Sequence, residues 1–296
     1  MLAVLLSLAA AFLFAAGTVL QQQVATDATD EEALGAGFLL QLARKPRWLA
    51  GIAIDGLGFV CQAIALGVGR LVVVQPLLAT TVVFALPLGA KLTDQRVGRR
   101  EILAAIAVAG GVGAFLVIAD PSGGIDDPTA TGWIVTGVAS GVACTALVAG
   151  GIAADRPGVK ATLFGTAAGV LFAVSAALTK AVVEQIEVGI LTPFSDWHLY
   201  ALIVVGYASM TLSQTALQTG VLAPAVATQM AIDPIVSLLI GTLAFEETIH
   251  ETDAALAASI VALGAMLAGL VVLAASQQQL DNEHRQKENH DDRQQP

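Results

Sequence analysis

Charged residues are scarce in this sequence. They make up 13% of the 296 residues, against about 25% in a typical soluble domain. Hydrophobic residues make up 56%, and the mean hydropathy is +0.76. The long apolar runs lack the polar face that helices and strands of soluble proteins present to water. This composition excludes a soluble protein and predicts a chain that lies in a lipid bilayer.

Cysteine is also scarce. The two cysteines, Cys61 and Cys144, both lie within apolar runs. We favour small buried apolar side chains over a disulfide or a redox role. Cysteine usage therefore indicates no redox compartment.

Sequence patterns typical of nucleotide hydrolysis, of catalysis inside a membrane and of nucleic-acid binding are missing as well. No Walker A pattern is present, so the energy for any transport must come from a gradient or from substrate flux. Hydrolysis inside a membrane requires histidine or paired catalytic groups at membrane depth, but all four histidines lie outside the long apolar runs: His198, His250, His284 and His290. No basic patch with aromatic residues indicates a nucleic-acid partner. We expect no enzyme activity, no cofactor and no bound metal.

Nine segments are long and apolar enough to cross a bilayer, for which a helix needs about 20 residues. The sequence therefore predicts an all-α polytopic membrane helix bundle. We number the segments spans 1 to 9: residues 2–22, 48–68, 71–92, 102–119, 131–153, 161–181, 199–219, 221–245 and 254–275.

Basic residues divide unevenly between the two faces that nine crossings define. Twelve of the 14 Lys and Arg residues fall on one face, and only Arg70 and Lys180 fall on the other. The positive-inside rule makes the first face cytoplasmic. We predict a multi-pass protein of the cell (cytoplasmic) membrane, with its N-terminus outside and its C-terminus in the cytoplasm.

Two segments are too polar to cross the bilayer. Residues 23–46 are predicted to form a short amphipathic connector on the cytoplasmic surface. Residues 276–296 are polar and low in complexity, which predicts a disordered cytoplasmic tail.

Parts of the sequence repeat each other. The stretch ALGVGRLVVVQPL at 65–77 is similar to ALQTGVLAPAVAT at 216–228, and AAAFLFAAGTVLQQ at 9–22 is similar to AAGVLFAVSAALTK at 167–180. Spans 1–4 thus correspond to spans 6–9. Because five crossings separate each span from its copy, the two halves are predicted to have opposite orientations. Many secondary transporters are built from such inverted repeats.

The repeat defines the predicted domains. Residues 1–119 form the first membrane repeat, 120–153 the linker helix and 154–275 the second membrane repeat. The small-residue spacings Gly137–Gly141 and Gly165–Gly169 predict close helix packing.

One motif carries a family resemblance. PAVATQMAIDPIVSLLIGTLAFEETI at 224–249, followed by the Gly-containing run ASIVALGAMLAGLVVLA, resembles the drug/metabolite transporter superfamily, in particular its EamA-like group. QPLLATTVVFALPLGAKLTD at 75–94 is a weaker copy in the first half. Members of that superfamily usually have ten helices, and this chain lacks one in its first half.

The resemblance implies a secondary-active transporter, an exporter or exchanger, that moves a small metabolite by alternating access. Nine helices also resemble the NIPA magnesium-transporter branch, which keeps a divalent cation transporter as an alternative. A non-transporting membrane scaffold is the other alternative. Proton or cation coupling and a homodimer are left open.

Ionisable residues inside spans are costly and mark functional sites. Only Asp55 and Asp233 lie deep in spans, and we predict that they bind substrate or a proton. Glu246 and Glu247 lie at the outer end of span 8, where we expect a cap or a gate.

Glutamines and prolines surround these carboxylates in spans 2, 3, 7 and 8. The glutamines add neutral hydrogen-bonding groups, either for substrate or between helices: Gln62, Gln75, Gln214 and Gln229. Paired interruptions of corresponding spans point to a central site, and four prolines are predicted to break spans 3 and 8: Pro76, Pro87, Pro224 and Pro234.

Overall fold

The computed structural model describes residues 1–26, 45–92, 97–249 and 252–292. These ranges contain one 3₁₀ turn (Thr192–Ser195), two short strands and ten α-helices. The strands are β1 (Ser122–Gly123) and β2 (Glu247–Thr248). The helices are α1 (Leu2–Thr26), α2 (Pro46–Gly67), α3 (Leu71–Leu78), α4 (Thr81–Leu92), α5 (Arg99–Ala119), α6 (Ala130–Ala153), α7 (Pro157–Val188), α8 (Trp197–Leu217), α9 (Leu222–Leu243) and α10 (Asp253–Asp292).

The nine predicted spans are confirmed. The described residues contain nine helical segments that are long and apolar enough to cross a membrane. The third span consists of α3 and α4 in succession, and every other span is a single helix. The chain is therefore an all-α polytopic membrane bundle.

The last helix is longer than the sequence predicts. We predicted disorder for residues 276–296, but the helical backbone of α10 continues to Asp292. Extending an existing helix avoids the cost of nucleating a new one. The added residues include Gln, Glu, Lys and Arg, which are good helix formers. Of the predicted connector at 23–46, residues 27–44 lie outside the part of the chain that the structure describes.

The two halves pack in the same way. In the first half, α1 packs along α2 and against α3 and α4. In the second half, α7 packs along α8 and α9. Corresponding helices of the two halves also meet, since α3 contacts α9 and α5 packs along α10. A repeat of spans 1–4 in spans 6–9 predicts this arrangement.

Helix α7 is the most enclosed of the nine spans, and its small residues explain why. A Cβ atom added to Gly169 would lie 2.8 Å from the carbonyl oxygen of Gln229 on α9, and one added to Gly165 would lie 2.5 Å from the carbonyl oxygen of Ala225. These two glycines therefore allow α7 and α9 to pack backbone to backbone, as predicted.

Helix α6 is peripheral, and the packing prediction for its glycines is wrong. A Cβ atom added to Gly137 or Gly141 would meet nothing within 4 Å. Large apolar side chains nearby are exposed, such as Ile134 at 64%. Small residues permit close packing but do not require it, and α6 contacts α7 along another of its faces.

The connections that charge places outside meet at one end of the bundle. Strands β1 and β2 pair antiparallel, with Ser122 opposite Thr248 and Gly123 opposite Glu247. Nε of Arg70 donates to the carbonyl of Gly123 at 2.9 Å. We call this end, with β1, β2 and the connection between α2 and α3, the strand end. It is the end that we predict to face outside.

Candidate functional site

Asp233 lies in the middle of α9 and is partly buried. The hydroxyl of Ser237, one turn further along, donates to its Oδ1 at 3.2 Å. Ser237 itself is fully buried. The close approach of α7 at Gly169 lies beside this turn, because a Cβ atom there would be 3.3 Å from the amide nitrogen of Asp233.

Gln229 lies one turn before Asp233 on the same face of α9. The Ser213 hydroxyl of α8 donates to its Oε1 at 2.7 Å. Gln229, Asp233 and Ser237 therefore form a polar line along α9, which is partly buried at Gln229 and Asp233 and fully buried at Ser237.

Asp55 lies in α2 and faces α1. The side-chain amide of Gln21 donates to Asp55 Oδ2. The other carboxyl oxygen, Oδ1, is buried without a hydrogen-bond partner among the described residues. Gly17 makes room for the carboxyl group, since a Cβ atom at that position would overlap it. Asp55 contacts α1 whereas Asp233 lies beside α7, so the two carboxyl groups occupy separate positions.

Within the described ranges, neither carboxyl group has a basic partner. Among the residues that the structure describes, the ion pairs within 4.0 Å involve Lys180 and His198 but neither Asp55 nor Asp233. The hydrogen-bond donors at these two carboxyl groups, Gln21 and Ser237, are both uncharged.

The other glutamines have different surroundings. Gln75 is 3% exposed in α3, and its Nε2 has no hydrogen-bond partner in the described part of the chain. Gln62 is partly buried in α2. Gln214 is exposed on α8, so the structure does not place it with the polar line on α9. Consecutive helical residues point about 100° apart, and Ser213 takes the inward position instead.

The proline prediction is only partly correct. Span 3 is broken once, at Ala79 and Thr80 between α3 and α4, after Pro76. At the break the backbone N–H of Thr80 donates to the carbonyl of Leu77. The hydroxyls of Thr80 and Thr81 also donate to the carbonyls of Leu77 and Leu78, at 2.6 and 2.7 Å.

The remaining prolines lie within continuous helices: Pro87 in α4, and Pro224 and Pro234 in α9. Pro224 occupies the first turn of α9, where the missing N–H would have had no helical partner. Span 8 is therefore unbroken, and the two halves differ at this point.

Glu247 is buried at the strand end. Its Oε1 and Oε2 accept hydrogen bonds from the backbone N–H groups of Leu71 and Val72, each at 2.8 Å. The carboxylate thus caps α3, where helix N–H groups and the helix dipole favour negative charge. Burial raises the pKa of Glu247, while the Val72 and Leu71 N–H groups and the charge of Lys180 act in the opposite direction. Glu246 has an exposed side chain and a left-handed backbone with φ of 56°.

Lys180 is a site residue that the sequence analysis missed. It is 5% exposed in α7, and its Nζ donates to the carbonyl of Gly69 at 2.8 Å. The same atom lies 3.9 Å from Glu247 Oε1 and 5.6 Å from the centre of the Phe245 ring. One signal was available, because Lys180 is one of only two basic residues on the predicted outer face.

A polar cavity of about 180 Å³ adjoins Lys180 and Glu247. Arg70 and Asp126 also line it, together with backbone of the connections at 67–69 and 123–125. The cavity thus brings two basic and two acidic side chains together at the strand end.

A second polar cluster at this end surrounds the buried His198. Its ring contacts Asp196 through Nδ1, and its Nε2 lies 3.4 Å from Oδ1 of Asp127. Trp133 Nε1 donates to the same Asp127 oxygen at 2.8 Å. The backbone N–H of His198 donates to Asp196, which holds the pKa of that carboxyl below its usual range. The cluster joins the start of α6 to the connection between α7 and α8.

No group of three or more His, Cys, Asp or Glu side chains arranged to hold a metal occurs in the described part of the chain.

Comparison with protein-family profiles gives no match, and comparison with solved structures also gives none. An uncharacterised protein from Corynebacterium glutamicum is 31% identical over 277 residues, which are 92% of this chain and 94% of that protein. The chain belongs to the family of this protein. Because the alignment covers nearly all of both chains, the likeness extends over the whole membrane bundle rather than over one segment.

Proposed function

We propose that the protein is a secondary transporter that moves a small solute by alternating access between its two halves. One observation supports this most strongly: Asp55 and Asp233 lie within spans, and each is hydrogen-bonded by an uncharged side chain without a basic partner in the described residues. A carboxylate in that position can take up a proton or a cationic group.

Carboxylates inside membrane spans are energetically costly. Placing an aspartate at the centre of a membrane helix costs about 2.5–3.5 kcal/mol on insertion scales. A purely structural carboxylate would offset this cost with a basic partner, but within the described residues Asp233 has the 3.2 Å bond from Ser237 and no ion pair. If transport is coupled to a proton or to a cationic group, that role explains why a carboxyl group is present here despite the cost.

The packing of the helices supports the same proposal. The halves pack alike and meet through the pairs α3–α9 and α5–α10. Two such units can rock against each other and expose each side of the membrane in turn. The break between α3 and α4 gives the first half a joint at membrane depth, where proline-containing helices are interrupted in many transporters.

The resemblance to EamA-like transporters supports a metabolite as the solute. We further propose that the protein lies in the cell membrane with the strand end outside. No feature of the described residues favours the divalent-cation alternative over this proposal.

Alternating access can be tested before the solute is known. In a chain that lacks Cys61 and Cys144, Ser237→Cys places a thiol beside Asp233 with little change in size. The protein is reconstituted in vesicles and treated with an impermeant maleimide from either side. Labelling of residue 237 is then read by peptide mass spectrometry, with lipid-facing Ile134→Cys on α6 as the matched control.

We expect residue 237 to react from both sides, because the site opens to each side in turn, and residue 134 to react from neither. Residue 237 is fully buried in the conformation described here. A thiol at 237 that reacts from neither side would reject the transporter proposal and favour a static scaffold.

A further inference from the structure

We infer that Glu247 and Lys180 form the gate that closes the strand end of the transport pathway. This inference rests on the proposed function and adds to it, because it assigns the closing contacts to two side chains. The bundle described here is then the conformation that is shut at the strand end.

The contacts of both side chains connect the two halves of the molecule. Glu247 belongs to the second half, yet it accepts the N–H groups of Leu71 and Val72 in the first half. Lys180 also belongs to the second half and donates to Gly69 in the first half. Three hydrogen bonds therefore join the halves at one end, and a relative motion that opens this end must break them.

Lys180 and Glu247 are buried and together block the strand end. The side chains of Lys180 and Glu247 are 7% and 1% exposed. Beneath them lies an apolar cluster shared by the two halves, which includes Leu71, Val74 and Ile240. Water and solutes from the strand end therefore meet the ion pair first and the apolar cluster next.

The surrounding backbone is shaped to hold the carboxylate. A Cβ atom on Gly241 of α9 would lie 2.7 Å from Glu247 Oε2, and one on Gly124 would lie 3.0 Å from Glu247 Cγ. Glu246 adopts a left-handed backbone conformation immediately before Glu247. Such conformations cost free energy in non-glycine residues and occur at switch regions, where the surrounding structure imposes them.

Two observations distinguish a gate from a permanent cap. The pair borders the cavity of about 180 Å³ that Arg70 and Asp126 also line, so polar space for hydration lies next to both charges. Burial also raises the pKa of Glu247, which means that burying the ionised carboxylate is unfavourable and opposes its hydrogen bonds. Closure therefore disfavours the ionised form of Glu247, and opening toward the polar cavity relieves that cost.

The test uses the chain without Cys61 and Cys144 that carries Ser237→Cys. Glu247→Ala and Lys180→Met are introduced separately, and Glu246→Ala serves as the matched control because its exposed carboxylate is the neighbour of Glu247. Labelling of residue 237 by the impermeant maleimide is measured from the strand end. We expect Glu247→Ala to raise the rate by about tenfold or more, since it removes two charge-assisted bonds, and Lys180→Met to raise it less. Glu246→Ala should leave it unchanged.

A second test does not alter Glu247 or Lys180, so it still decides the question if their variants fail to fold. Ser122 Oγ and Thr248 Oγ1 lie 3.0 Å apart on the exposed paired strands, so Ser122→Cys and Thr248→Cys should form a disulfide across the strand end. With the disulfide formed, labelling of residue 237 from this end should fall to background, and reduction should restore it.

Two results would overturn the inference, and they differ in what else they reject. Residue 237 reacting from both sides, with rates that neither Glu247→Ala nor the disulfide changes, would reject the gate and leave the transporter proposal intact. Residue 237 reacting from neither side in every variant would reject both.

Discussion

Nζ of Lys180 lies 3.9 Å from Oε1 of Glu247, and the two side chains are 7% and 1% exposed. Lys180 lies in α7, the first helix of the second half, and Glu247 lies just beyond the end of α9, so the fold brings them together from distant parts of the sequence. Around them, backbone groups of residues 69, 71 and 72 complete a network that joins the two halves.

The first prediction concerns the stability of this pair. Glu247→Ala leaves a buried ammonium group without its carboxylate and should reduce the free energy of unfolding by about 3–5 kcal/mol. Lys180→Met should cost less, because Glu247 keeps its two N–H donors. The double variant should be more stable than the sum of the single effects implies, which unfolding in mixed detergent measures. Simple additivity would show that the pair does not interact.

A second prediction compares two glycines. Gly169→Ala should destabilise the protein by about 1–3 kcal/mol, because the added methyl group would meet the backbone of α9 at 2.8 Å. Gly137→Ala is the matched control, since it adds the same group where nothing lies within 4 Å. It should be neutral or should stabilise α6 by up to about 1 kcal/mol through helix propensity. Equal losses for both variants would contradict the packing described here.

The contrast between these glycines shows where sequence reasoning reaches its limit. Both pairs have the same spacing of small residues, but only Gly165 and Gly169 meet a neighbouring helix. The spacing is a local property, whereas the neighbour depends on how all nine spans pack. The nine spans themselves were predictable, because a run of about 20 apolar residues is long enough to cross a bilayer whatever surrounds it.

The candidate site was likewise predictable only in part, because its contacts depend on tertiary packing. Asp55 and Asp233 were predictable as costly residues inside apolar runs, whereas their partners Gln21 and Ser237 were not. Lys180 was missed because hydropathy placed it near a span end, where a lysine normally reaches water. Its burial against Gly69 results from tertiary contacts that no local pattern encodes.

A third prediction concerns pH at the strand end. Burial raises the pKa of Glu247 in the closed conformation, whereas a hydrated glutamate in an open conformation has a pKa of about 4.3. The closed form thus binds a proton more tightly, so closure is favoured at acidic pH and weakened as the pH rises through the closed-state pKa. Lys180 and Arg70 act to lower the pKa of this carboxyl, and Asp126 lines the same cavity.

Hydrogen exchange at the amides of Leu71 and Val72 reports this equilibrium directly, because both donate to Glu247. After correction for intrinsic exchange, protection should increase as the pH falls, and Glu247→Gln should abolish the dependence. Weaker protection in acid would reverse the sign and contradict the account.

A fourth prediction concerns topology. Ser122→Cys, in the connection between α5 and α6, should react with an impermeant thiol reagent added outside intact cells. Arg99→Cys, at the start of α5, should react only after the membrane is permeabilised. The reverse pattern would overturn the assignment of the strand end to the outside.

A fifth prediction concerns solute flux through the purified protein, which decides whether it is a transporter. Vesicles that contain wild-type protein, Asp233→Asn or no protein are given an isotopically labelled metabolite extract, with and without an imposed pH gradient. The exposed Asp155→Asn serves as the matched control for loss of a carboxylate. We predict that at least one solute accumulates against its gradient with the wild-type and Asp155→Asn proteins, and that Asp233→Asn loses accumulation although it folds normally. No protein-dependent flux of any solute, or equal accumulation by Asp233→Asn, would contradict the account.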